Sequence, residues 1–421
     1  MLAAHYPWPA ADGIRQRLDH VVRGLAAAGD VELIALDRRP VEQPRGDVLP
    51  EIPGLVDVVA VPARPDLSLR EWLPDWVRGG PPRRLLVADW SALAAAVAER
   101  FAPAADGSPA EPVDLIWYSH VDSWWPLHDS VPADVASIVD YYDLINLALR
   151  LRRTTPPRFA PGSGVSDKVR TTGRWGVSRG FDLVDERRWD RFQRECASQV
   201  DEVVVCSELD RSRSGLANVS IIGNGSSAPD VVHADRSELR SAVPTFLFVG
   251  ALDYEPNSEA VEWFVRDVFP VVREQVPDAR LRIVGRGMER VAWVAGQPGV
   301  DLIGGVPEMG DELDRADASI VPIRAGAGTR LKVVEALANH LPLVTTPVGC
   351  EGISVTAGVD ALIEADPRSF ADACVRIVTD SALRQRLADA GAELFASRYD
   401  WRIIERQLAE LATEVAARRT R

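Results

Sequence analysis

Pro322-Ile-Arg-Ala-Gly-Ala-Gly-Thr-Arg-Leu-Lys-Val-Val-Glu-Ala-Leu-Ala-Asn-His-Leu-Pro-Leu-Val-Thr-Thr346 decides how this chain is read. A strand ends, a glycine-rich turn follows, a helix starts at the N-cap candidate Thr329, and a second strand closes the run. Leu331, Val334 and Ala338 mark the buried helix face, with Lys332, Glu335 and Asn339 on another. Gly326 and Gly328 let backbone N–H groups approach an anion at the helix start, where the dipole also favours negative charge. Arg330 and Lys332 add two cations, and Glu335 offers an acceptor to a vicinal diol. Only two of the 48 basic residues, Lys168 and Lys332, are lysine. That scarcity singles out Lys332.

Outward from this run the chain reads as two α/β halves. In the second, Thr245–Val249, closed by Gly250, is a strand. Arg280–Val284, Val300–Ile303, Ala318–Pro322 and Leu343–Thr345 are further strands, with helices between and a long helical tail from Ser381. In the first, Ile14–Ala28 reads as a helix, and Val31–Leu36, Val113–Tyr118, Ser137–Val139, Val203–Cys206 and Val219–Ile222 as strands. Short apolar runs alternating with helices predict parallel sheets covered on both faces. The expected division is 1–224, a linker at 225–243, 244–398, and a last helix at 399–421. The opening strand, Leu2–Tyr6, is weak for its place in such a sheet. This suggests a start upstream of Met1.

The glycine-rich run resembles the donor-nucleotide motif of the retaining glycosyltransferases of family 4. Phe248-Val-Gly-Ala-Leu-Asp-Tyr254, Ile283-Val-Gly285, Leu302-Ile-Gly-Gly-Val306, Gly349-Cys-Glu-Gly352 and Tyr399-Asp-Trp401 follow in the family's order. The resemblance implies two Rossmann-like domains facing a cleft (the GT-B arrangement), with the last helix crossing back to the first domain. It implies hexose transfer from a nucleotide-diphosphate sugar to the hydroxyl of a sugar, lipid-linked or small-molecule acceptor, with retention of configuration. Gly250, Val306, Gly326, Gly328, Thr329 and Glu335 would hold the donor from the second domain, and Asp12 and Gly13 from the first. Arg330 and Lys332 would take the diphosphate charge without a metal, and no cofactor is implied. His120, beyond strand Val113–Tyr118, would meet donor sugar or acceptor. Two departures stand out. The family's first carboxylate falls on Ala327, and the loop after Val249 carries no cation.

Trp124 and Trp125 follow His120 and offer aromatic faces to a sugar ring, or simply to the core. Asp140 and Asp143 suit helix capping as well as function. Gly285-Arg-Gly287 lacks the third glycine of a dinucleotide fingerprint. The Arg150–Gly180 segment holds eight basic residues and one acidic. Its prolines and glycines predict an irregular, mobile loop that attracts an anionic acceptor or a lipid surface. The remaining composition excludes more than it selects. A net charge of −14 argues against non-specific nucleic-acid binding. Four scattered cysteines make neither a zinc site nor a disulfide frame. No run approaches a membrane span and no leader is visible, so a cytoplasmic protein is expected, with at most peripheral contact at the inner membrane face. A nucleotide-sugar epimerase and a non-catalytic sugar-nucleotide binder are the other classes open to the sequence.

Overall fold

The computed structural model describes all residues except 11, 40–48, 104–105, 155–163, 230–242, 327, 329 and 420–421, together with the side chain of 168. The described residues up to Gly223 form one compact unit with Arg402–Arg419, and Asn224–Trp401 form a second.

The first unit is built on seven parallel strands: β1 (Leu2–Ala3), β2 (Val31–Asp37), β3 (Leu55–Pro62), β4 (Leu115–Tyr118), β5 (Ala136–Tyr141), β6 (Glu202–Val205) and β7 (Val219–Ile221). Their order is β3-β2-β1-β4-β5-β6-β7. The weak first strand is therefore central. Leu2 pairs with both Ile34 and Tyr118. The central strands read as unbroken apolar runs because both faces are covered: Val203, Val204 and Val205 are all fully buried. Edge strand β3 escapes that reading, since Val56 and Val59 are exposed.

The second unit repeats the plan with β8 (Thr245–Val249), β9 (Arg280–Val284), β10 (Val300–Gly304), β11 (Ala318–Val321), β12 (Leu343–Thr345) and β13 (Leu362–Ile363). Their order is β10-β9-β8-β11-β12-β13, all parallel. Both domains are Rossmann-like, as the sequence predicts. In each sheet the order reverses between the first and fourth strands. That switch point is where ligands bind in open α/β sheets, beyond the carboxyl ends of the strands.

The last helix, Trp401–Arg419, packs on the Gly13–Ala28 helix of the first unit. Gly24 permits it: a Cβ there would sit 2.6 Å from Leu408 Cβ and 2.9 Å from the Glu405 carbonyl. His20 Nδ1 meets Glu405 at 2.6 Å, and Arg418 meets Glu202 at 2.8 Å.

The expectation for Arg150–Gly180 is corrected. Ile145–Thr154 is a helix, and Val165–Gln199 is a second helix of 35 residues. The reason is tertiary. Trp189, Phe192 and Cys196 are buried along the second half of the long helix, so Gly173, Gly176 and Gly180 are carried in its exposed first half. Arg150 and Arg153 bond to Glu186 at 2.8 and 3.0 Å, and Arg152 to Asp182 at 2.8 Å. Arg150, Arg152 and Arg153 are thus held by carboxylates of the long helix. Arg158 and the prolines at 156, 157 and 161 lie outside the described residues, as does most of the 225–243 linker.

Candidate functional site

At the switch point of the second sheet, Gly250 follows β8 and the Pro322–Arg330 loop follows β11. The helix begins at Leu331, with Arg330 in the N-cap position, and runs to Ala338. The expected N-cap Thr329, and Ala327, lie outside the described residues. Gly326 and Gly328 hold φ of +140° and +83°, values that only glycine adopts without strain. Arg330 lies folded under this loop, 7% exposed.

Lys332 reaches from the helix toward β8. Its Nζ donates to Asn257 Oδ1 at 2.7 Å and lies 4.5 Å from the centroid of the Phe248 ring. Asn257 is fixed in turn, its Nδ2 donating to the Ala251 carbonyl at 2.9 Å. Burial lowers the Lys332 pKa to about 7; Arg330 adds to the fall, and Glu335 opposes it. Burial likewise raises Glu335, with Lys332 pulling the other way. Sequence reasoning named Lys332, Glu335, Gly250 and Arg330 but missed Asn257. Only its position, in the first turn of the Glu255–Trp263 helix that follows the β8 loop, marks it. Val306 is half-buried beyond β10 and packs on the core beneath the loops. Thr346 braces the far side: its hydroxyl donates to the Ile323 carbonyl and accepts from Gly349 N.

Gly250 is what allows Lys332 its place. A Cβ at Gly250 would lie 2.7 Å from Lys332 Nζ and 2.8 Å from Asn257 Nδ2. Both neighbours are side-chain tips, so the fold survives substitution while the ammonium moves. Gly250→Ala should weaken binding of a nucleoside diphosphate roughly tenfold, the cost of one misplaced charge-assisted contact, with the melting temperature nearly kept. Unchanged affinity by calorimetry counts against this placement.

At the switch point of the first sheet the geometry differs. His120 follows β4 at the N-cap of the Val121–Leu127 helix, and its ring is 1% exposed. Nδ1 lies 3.2 Å from Asp122 Oδ1, and Nε2 lies 3.2 Å from the Asp143 carbonyl. Arg84 Nη2 meets the other Asp122 oxygen at 2.6 Å. Burial opposes ionisation of Asp122, but Arg84 and His120 hold its carboxyl well below the usual range. His5, in the loop after β1, is lowered by burial to about 4, against the pull of Asp122. His5, Arg84 and Asp122 belong to this network and were not singled out from sequence. Arg84 meets Asp122 across 38 positions, beyond any local motif.

Trp124 is 2% exposed and stacks on His128 with centroids 4.2 Å apart. Its ring is committed to the core, which corrects its assignment as a sugar platform; Trp125 is half-buried against the same core. Asp12 accepts from Arg15 N at 3.0 Å and caps the Gly13–Ala28 helix. Asp140 is no helix cap. It pairs with Arg17. Among the described residues, no group of three or more His, Cys, Asp or Glu side chains is placed to hold a metal ion. No described helix is long and apolar enough to cross a membrane.

Residues 243–380 match the family described as glycosyl transferases group 1. A phosphatidyl-myo-inositol mannosyltransferase of Mycobacterium leprae is 31% identical over 181 residues, which are 41% of this chain and 47% of that protein. The chain thus spans about half of that relative's length. A sucrose-phosphate synthase of Thermosynechococcus elongatus superposes with a TM-score of 0.65 at 19% identity, over 99% of this chain and 96% of the other. Anabaena HepE, solved with UDP-glucose, superposes with a TM-score of 0.60 at 13% identity, over 98% and 100%. At such identities the two structures bear on the fold alone.

Proposed function

We propose, from the premise that residues 243–380 belong to the glycosyl transferases group 1 on a GT-B fold, that this protein transfers a hexose from a nucleotide-diphosphate sugar to an acceptor hydroxyl with retention of anomeric configuration. One observation carries the reading. The Lys332 ammonium, the Gly326–Gly328 turn, Arg330 and the Glu335 carboxylate converge at the switch point of the second sheet. That set suits a ribosyl diphosphate: backbone N–H groups and cations for the phosphates, a carboxylate for the ribose diol. Positive charge placed at the diphosphate stabilises it as negative charge builds on the leaving group, and so acts most strongly in the transition state. The leaving phosphate oxygen takes the acceptor proton on the same face. His120 would orient the donor sugar or acceptor from the first domain, held by Asp122 and Arg84. Asp12 and Gly13 would approach the phosphates from the first domain.

The test is incubation with UDP-, GDP- and ADP-hexoses, with and without sugar acceptors. A transferase releases nucleoside diphosphate slowly alone and faster with an acceptor. Conversion of the sugar with no acceptor would identify an isomerase, and binding without turnover a carrier.

The site also predicts a pH dependence. With its pKa lowered to about 7, the Lys332 ammonium begins to lose its proton near neutrality. A bound diphosphate favours the charged form and raises that pKa. Affinity for a nucleotide sugar, whose bridging diphosphate does not titrate in this range, should therefore be greatest below about pH 7 and fall as pH rises. Binding at about pH 8 should take up a proton, read by calorimetry in buffers of different ionisation enthalpy. Lys332→Ala should abolish the uptake. Equal uptake in parent and variant would assign the proton to another group.

A further inference from the structure

Gly173, Val177 and Phe181 follow one another at single-turn spacing along the Val165–Gln199 helix. With Arg83, Arg170 and Arg174 they line a groove of about 510 Å³. Its floor is apolar, and guanidinium groups stand around it. Arg83 stacks on the Phe181 ring, 5.3 Å from its centroid, with looser pairing to Asp182 at 3.6 Å. Arg170 meets Asp167 at 2.7 Å, both side chains exposed. Among the described residues, Arg174 has no ion-pair partner.

The surroundings are unusual for a surface. Val165, Val169 and Val177 are 80%, 67% and 66% exposed on the same helix. Val77 is 67% exposed at the end of the Leu69–Val77 helix, whose Trp76 ring lies 4.9 Å from Phe181. Arg179 stacks over Trp175 at 4.4 Å. A solvated basic helix has no use for three bare valines with a fourth on the neighbouring helix, and a site for a soluble anion needs only the arginines. Apolar side chains set among arginines on a helix lying along the surface suit the headgroup layer of a membrane. The arginines lie on a chain of net charge −14, so the positive charge is local.

We propose that this face docks on an anionic lipid surface. A lipid phosphate sits between Arg170 and Arg174, and Val169 and Val177 enter the headgroup boundary. The proposal concerns the first unit alone and stands apart from sugar transfer.

Vesicles of phosphatidylcholine, with and without phosphatidylglycerol, provide the test, read by co-sedimentation. The full chain should bind the anionic vesicles, bind the neutral ones little, and let go as salt rises. Arg170→Ser with Arg174→Ser should weaken the partition roughly 30-fold. Val169→Ser with Val177→Ser should weaken it roughly tenfold. All four positions are exposed, so circular dichroism should report an unchanged fold. Equal binding to neutral and anionic vesicles, or variants that partition like the parent, would overturn the proposal. So would binding of inorganic phosphate that depends on Arg174 in a protein that ignores vesicles, because the groove would then serve a soluble anion.

Discussion

Lys332→Ala loses on the order of 10- to 100-fold in kcat/KM for its nucleotide sugar. That is the expected range for a contact between an ammonium and a diphosphate, about 1.5–3 kcal/mol. The side chain is half-buried among Phe248, Asn257 and Gly250, where water screens the charge poorly. Glu335→Ala should weaken nucleotide binding to a similar extent, through the ribose. The two variants separate by ligand. Inorganic diphosphate should feel the loss of Lys332 and not that of Glu335, whereas the nucleoside should feel the reverse. A partial control is Asn257→Ala. It removes the acceptor that holds Nζ but leaves the charge, so it should cost less than Lys332→Ala and shift KM more than kcat. If titration with a nucleoside diphosphate shows both Lys332→Ala and Glu335→Ala binding like the parent, this helix does not hold the donor.

The elements around Lys332 were legible because their chemistry is local. Gly326, Gly328, Arg330, Lys332 and Glu335 fall within ten positions, and a turn followed by an amphipathic helix carries their geometry. The alternation of apolar runs and helices gave the parallel sheets but not their strand order, and the edge strands Leu55–Pro62 and Leu362–Ile363 escaped it. What remained hidden depends on distance along the chain. Asn257 meets Lys332 across 75 positions, and Arg84 meets Asp122 across 38. The long helix was misread for a different reason. Gly173, Gly176 and Gly180 each cost about 1 kcal/mol in a helix, and propensity alone stops there. Burial of Trp189, Phe192 and Cys196 holds the second half, and the arginines of the Ile145–Thr154 helix tie Asp182 and Glu186. Trp124 shows the same limit: a tryptophan beside a candidate site reads as a platform until packing reveals both its faces occupied.

Asp140→Asn should destabilise the first domain strongly, by about 3–5 kcal/mol. Arg17, on the Gly13–Ala28 helix, is 2% exposed, and Asp140, on β5, is fully buried. The guanidinium donates to both carboxylate oxygens, Nε at 2.8 Å and Nη2 at 2.9 Å. Its other hydrogens reach the carbonyls of Ile222 and Gly223 at 3.1 and 2.9 Å. Burial works against the charge on Arg17, but Asp140 overrides it and holds the group above its usual range. One fork thus ties the first helix, the sheet and the end of the domain. Loss of the carboxylate charge leaves a buried cation uncompensated, at about 3–5 kcal/mol. Truncation of the cation, Arg17→Met, leaves a buried anion and should cost as much. The double variant, Arg17→Met with Asp140→Leu, removes both charges and should recover much of the loss, because well-packed apolar replacements of buried ion pairs are close to neutral. Urea unfolding of the four proteins closes the cycle. A double variant as unstable as the sum of the singles would mean that each residue acts alone, Arg17 through its backbone carbonyls and Asp140 through β5. Single variants that unfold at the parent's urea midpoint would remove the pair from the account of this domain's stability.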